Sequence, residues 1–185
     1  MHRLRLAGRT PALACALLLS SAVSAASLDR RDADFLKQAA EAGLTEVEGS
    51  KVAVSKGVNT QVKGFAQQMV DDHTKAGAEL AALAASKGVT LPTEPSLGQR
   101  AKLKLLASRD GGSFDRNYAN TLGVRAHRDT LRRFQKAATA SRDAEVKAFA
   151  AKALPTLQHH FEMAQELKGV VDKEGNAKAA GNRKQ

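Results

Sequence analysis

The feature that most constrains this chain is a spacing. Val62, Ala66, Met69, His73, Ala76, Leu80 and Leu83 recur at intervals of four and three residues, and Val146, Ala150, Ala153, Leu157, His160, Ala164 and Leu167 repeat the rhythm. Such intervals place apolar side chains in one stripe along an α-helix, and the stripe is stable only where partner helices cover it. The two segments also open alike, with Val62-Lys63-Gly64-Phe65-Ala66 matched by Val146-Lys147-Ala148-Phe149-Ala150. No alternating β-branched run suggests a sheet, so the chain reads as all-α.

The remaining elements follow from periodicity and punctuation. A first helix is predicted from about Arg31 to Ser55, with Leu36, Ala39, Ala40, Val47, Ala53 and Val54 inward, and Gly57 and Asn59 mark the turn after it. The second runs from about Thr60 to Lys87 and stops at Gly88, the residue type that accepts a left-handed conformation without strain. Val89 to Gly112 contains Pro92, Pro95, a short amphipathic piece around Leu97 to Leu106 and the pair Gly111-Gly112, which together read as a long crossover connection. Ser113 is the expected cap of a third helix reaching Ala140, with Phe114, Tyr118, Val124, His127, Leu131, Phe134 and Ala138 inward. Asp143 caps a fourth that extends to Val171, with a kink expected at Pro155. Two helical hairpins joined by a long crossover with a short helix make a ferritin-like four-helix bundle spanning residues 31–171. Asp172 to Gln185, rich in Lys, Gly, Asn and Ala, reads as a disordered polar tail.

Ahead of the bundle, Arg3, Arg5 and Arg9 precede an apolar run from Ala12 to Val23, followed by small residues at Ser24, Ala25 and Ala26. This is the pattern of a secretory signal peptide over residues 1–25, cut after Ala25 or Ala26, and the run is shorter than the roughly 20 residues of a membrane span. The reading implies an exported protein, periplasmic or secreted, with no transmembrane segment after cleavage. Cys15, the one cysteine, leaves with the leader, so no disulfide framework supports the mature fold. Removing the three leader arginines from 29 basic residues leaves 26 against 19 acidic ones, and the mature chain stays basic at +7. Arg125, Arg128, Arg132, Arg133 and Lys136 form the densest cluster and fall on an outward helical face. With no Trp and one Tyr, nucleic acid is not an expected partner, whereas an anionic envelope component is compatible with the charge.

Three histidines stand where the apolar stripes require hydrophobic residues. His73, His127 and His160 lie about 13 to 17 residues into helices of about 28, so all three are expected near mid-height whichever way the helices run. Glu46 occupies the same level on the first helix, in a row of small residues comprising Ala39, Gly43, Ser50 and Ala53. Glu46, His73, His127 and His160 are therefore the candidate metal ligands, a mixed nitrogen and oxygen set suited to Zn, Fe, Mn or Cu. Asp72, Asp115 and Tyr118 are candidates to orient them through hydrogen bonds, and Asp115 and Tyr118, one turn apart, to bond each other. His159, one position off the stripe, is expected to be exposed. The residues three before each histidine are Val70, Val124 and Leu157, so the Glu-x-x-His pairs of di-iron bundles are missing and the pattern argues against a di-iron centre. The competing reading is a hydrogen-bonded imidazole layer that fixes helix register in a structural or interaction module of the cell envelope, with a stress-linked role as one form of it. No nucleophile elbow, phosphate loop or zinc-protease helix is present, and no catalytic residue is assigned.

The blocks Glu46-Val47, Val62 to Ala66, Met69-Val70-Asp71-Asp72-His73, Phe114-Asp115-Arg116-Asn117-Tyr118, His127, and Leu154-Pro155 through His160 to Ala164 resemble the bacterial domain of unknown function numbered 4142. The resemblance covers about Asp32 to Leu167. It implies a ferritin-like bundle and an exported location, often labelled a predicted outer membrane protein, and it implies no reaction. Matching the motifs residue by residue points again to Glu46, Asp72, His73, Asp115, Tyr118, His127 and His160.

Overall fold

A computed structural model describes residues 28–182, and the predicted leader lies outside them. Every regular element among the described residues is helical. α1 (Arg30–Lys56) and α2 (Thr60–Ser86) form one hairpin, and α3 (Leu97–Ala107) lies in the crossover. The second hairpin's first arm comprises α4 (Gly111–Tyr118), a π-helical segment (Ala119–Ala126) and α5 (His127–Ala140), and its second arm is α6 (Ala144–Asn182). α1 packs along α2, and α5 with the π-helical segment packs along α6. The four-helix bundle read from the stripes is the fold. No helix among the described residues is long and apolar enough to cross a membrane.

The caps show how local chemistry sets the ends. Asp29 accepts a hydrogen bond from the Arg31 N–H at the start of α1, and Asn59 accepts from Gln61 and Val62 at the start of α2. Asp143 accepts from Glu145 and Val146, as its position predicts. Gly88 stops α2 with φ of 66° in the left-handed region. Ser113 does not cap the third arm. The helix opens one turn earlier at Gly111, behind Asp110, and Gly111 itself has φ of 56°. Thr121 and His127 lie in or beside a π-helical stretch that composition does not distinguish from α-helix.

Two buried aspartates tie the hairpins together reciprocally. Asp32, in the first hairpin, accepts from the backbone N–H groups of Arg142 (3.0 Å) and Asp143 (2.9 Å) in the turn of the second. Asp115, in the second hairpin, accepts from Asn59 N–H (2.8 Å) and Val58 N–H (3.2 Å) in the turn of the first. A buried carboxylate without such donors would be costly, and the turn N–H groups would otherwise lack partners. Each carboxylate therefore locks the opposite hairpin's turn.

The expected disordered tail is instead helix up to Asn182. Asp172 to Ala180 lacks an apolar stripe, but its Ala, Lys and Glu residues favour helix and extend an element that has already nucleated. Glu174 accepts from the Asn59 side chain (2.8 Å), and Gly175 lies against Arg116. Pro155 sits inside α6, which continues on both sides of it.

The apolar core gathers toward the two ends. Ala53, Phe65, Met69, Phe114, Tyr118, Leu122 and Leu167 pack at one end. Leu36, Leu80, Ala84 and Val146 form a second cluster, and Leu131, Phe134, Ala150 and Leu157 a third. On every helix the polar candidates fall between them: Glu46 between Ala40 and Ala53, His73 between Met69 and Leu80, His127 between Leu122 and Leu131, His160 between Leu157 and Ala164.

Candidate metal centre

His73, His127 and His160 converge. Their ring centroids are 5.5 Å apart in all three pairs, and one nitrogen from each ring lies within 4.8 Å of the other two. The centre of an equilateral triangle of this side is about 3.2 Å from each centroid (5.5 divided by √3). A metal bound by imidazole nitrogens at about 2.1 Å stands at nearly that distance from the ring centres, since nitrogen is about 1.1 Å from the centre of its ring. The Nε2 atoms of His73 and His127 are 3.4 Å apart. Two nitrogens on one tetrahedral ion are separated by about 3.3 Å. The separations to the third nitrogen, up to 4.8 Å, would contract by up to about 1.5 Å on binding.

Hydrogen bonds on the outer side of two of the rings define which of their nitrogens carry protons. His127 Nδ1 lies 3.0 Å from the Leu122 carbonyl and 2.9 Å from that of Gly123, both acceptors, so Nδ1–H donates and Nε2 keeps its lone pair. His160 Nε2 lies 2.9 Å from Asp72 Oδ2, so Nε2–H donates and Nδ1 keeps its lone pair. His160 Nδ1 is buried and has no hydrogen-bond partner. An imidazole fixed by an outer carboxylate or carbonyl, with its other nitrogen bare, has the form of a metal ligand held by a supporting acceptor.

Burial keeps the rings neutral. His73 is held down to about 3 by burial and by the neighbouring His127 and His160. His127 is held down to about 4, chiefly by burial, against the support its protonated form would gain from the Leu122 and Gly123 carbonyls. His160 is lowered by burial, with Asp72 acting in the opposite direction. Neutral imidazoles present lone pairs to a cation, which protonated ones do not.

Glu46 is at the predicted height but outside the nitrogen cluster. It is 4% exposed, and its Oε1 approaches the Nδ1 side of His127 at 3.9 Å, away from the Nε2 that faces His73. Its other oxygen, Oε2, is buried without a partner, and burial raises the carboxyl well above its ordinary range. The expected fourth ligand is thus a flanking carboxyl, because matching height along a helix does not determine direction around it.

The other candidates divide. Asp72 orients His160 as expected. Asp115 does not face the histidines or Tyr118; its carboxylate goes to the Val58 and Asn59 N–H groups, which lack other partners in that turn. The Tyr118 hydroxyl lies 2.8 Å from Ser50 Oγ, and burial, then Glu46, push its ionisation up, so the phenol stays protonated. Tyr118 reaches the cluster through Phe65, whose ring is edge-on to both Tyr118 and His127. His159 is exposed, as expected. The carbonyls of Leu122 and Gly123 were missed by sequence reasoning, which sees side chains and not the backbone of a π-helical turn.

Fold and site together define an all-helical, ferritin-like bundle with a three-histidine cluster between two apolar ends. The chain belongs to the family described as domain of unknown function (DUF4142), which it matches over residues 18–167. Among solved structures it is similar to the crystal structure of a DUF305 fragment from Deinococcus radiodurans, with a TM-score of 0.67 and 12% identity over 80% of this chain and 99% of that one. At that identity the likeness is one of fold. No curated protein matches the chain.

Proposed function

We propose that this is an exported metal-binding protein in which His73, His127 and His160 take one transition-metal ion. The observation that carries the reading is His160 Nδ1, a buried lone pair with no partner in a ring that stands 5.5 Å from two other buried or half-buried imidazoles. A purely structural imidazole layer leaves that nitrogen unsatisfied, at a cost on the order of 1 to 3 kcal/mol, while a cation satisfies it. Three neutral imidazoles without thiolate suit Zn or Cu, and also Fe or Mn, and three protein ligands leave further coordination positions for water or another group. Asp72 and the Leu122 and Gly123 carbonyls would hold the ring tautomers. The leader-like residues 1–25 support export.

Elemental analysis of protein purified from its native compartment without chelator tests the reading. About one metal ion per chain is expected in the natural protein, and a His73→Ala, His127→Ala double variant should lose it. Equal metal in both would overturn the assignment. Sequencing the N-terminus of the same material tests export: it should begin at Ala26 or Ser27, and an intact leader on protein from outside the cytoplasm would refute the cleavage.

A further inference from the structure

Beside the histidines the bundle is not closed. A cleft of about 720 Å³ runs between α1, α2, α5 and α6, bordered by the Leu91-Pro92-Thr93 stretch of the crossover, and His73, His127 and Glu46 stand in its wall. Its volume is within the range of small-molecule sites, roughly 300 to 1,000 Å³. The space exists because two facing helices carry small residues: Ala39, Ala42 and Gly43 on α1, Ala76 and Gly77 on α2. A Cβ added at Gly43 or at Gly77 would meet nothing within 4 Å. The opposite wall is large and apolar, with Phe134 and Phe149, 6.1 Å apart and tilted, followed by Leu157.

One polar group on this wall lacks a partner. Glu46, 4% exposed, lines the cleft and leaves Oε2 without a hydrogen bond. Native structures satisfy buried polar side-chain atoms nearly always, so an unpaired one on a cavity wall marks where a ligand atom belongs. Two aromatic rings supply edges and faces for a ring system. A hydroxyl group both donates and accepts, and so bonds a carboxyl in either of its protonation states.

We propose that this cleft binds an apolar small molecule bearing a hydroxyl, of the phenol or fused-ring alcohol class, with its rings on Phe134, Phe149 and Leu157 and its hydroxyl on Glu46. The site does not depend on a metal at the histidines. It uses a different group, Glu46, and a different property, the unfilled volume along small residues.

β-Naphthol and its methyl ether are the probes, titrated by naphthyl fluorescence into the full mature chain in chelator; the protein has no Trp to interfere. The natural protein should bind β-naphthol about tenfold more tightly than the ether, the size of one hydrogen bond to a buried group. Glu46→Leu, which replaces an unpaired buried carboxyl by an apolar side chain, should fold and bind both probes equally. Gly43→Leu, which places a side chain in open space within a helix, should fold and weaken both probes tenfold or more. Cobalt(II) absorption, measured separately on each variant, reports the histidines and is expected to be unchanged in Gly43→Leu. No binding by the natural protein, equal binding by Gly43→Leu, or a hydroxyl preference that survives in Glu46→Leu would each overturn the cleft site. Loss of the cobalt signal alone bears on the metal reading and leaves the cleft standing.

Discussion

Acidifying the metal-free protein from pH 7 to pH 5 should expose the cost of a buried neutral imidazole at His127. In the unfolded chain this histidine titrates near 6.5, whereas in the fold it is held down to about 4, and the ring is 1% exposed. Between those values the unfolded state binds the extra proton. Stability therefore falls as pH falls, by about 1.4 kcal/mol per unit for one group. From 6.5 to 5 this amounts to about 2 kcal/mol for His127. Glu46 acts in the opposite sense, because a carboxyl raised by burial contributes stability at low pH that is lost as pH rises. Glu46 and the other two histidines remain in a His127→Leu variant, so the difference between the two proteins reports the imidazole together with its hold on His73. Urea unfolding followed by far-ultraviolet circular dichroism, in chelator at both pH values, gives that difference. The natural protein should lose about 2 kcal/mol more than His127→Leu over this interval. Equal losses in the two would refute the claim that the ring is buried neutral.

Other substitutions test other parts of the design. Asp72→Ala removes the acceptor that holds His160 Nε2–H and should weaken metal binding by about ten- to a hundredfold, measured by competition with a chromophoric chelator. Asp115→Ala leaves the Val58 and Asn59 N–H groups unpaired between the hairpins and should cost about 1 to 3 kcal/mol in urea unfolding, with cobalt binding retained. Gly43→Ala, whose added Cβ meets nothing within 4 Å, should raise stability by about 0.5 to 1 kcal/mol through helix propensity alone. A decrease there would mean that the space beside Gly43 is filled.

The bundle was legible because its stripes repeat without error over α2 and α6, where seven positions in a row obey the interval rule. Counting residues from a cap also places a side chain along a helix axis, which is why His73, His127, His160 and Glu46 were expected at one level. The same count says little about direction around the axis. Glu46 consequently landed beside His127 rather than among the nitrogens. Asp115 was misassigned for a related reason: proximity in sequence suggested Tyr118, but the nearest unpaired donors belonged to a turn more than fifty residues away. The tail was misread because composition speaks for an isolated segment, whereas Asp172 to Asn182 grows from the end of a formed helix.

The π-helical segment from Ala119 to Ala126 has a rotational consequence. Tyr118 and His127 are both buried, 0% and 1% exposed, yet nine residues of α-helix make two and a half turns and would set them on opposite sides. At about 4.4 residues per turn, the wider π winding brings the same nine residues through just over two whole turns and returns both to the core. Everything beyond this segment, including Leu131 and Phe134, takes its angular phase from it. His127 in turn bonds the Leu122 and Gly123 carbonyls inside the segment. The ring thus grips the winding that aims it, and rewinding those turns to α would swing one histidine out of the triangle and half a core face with it.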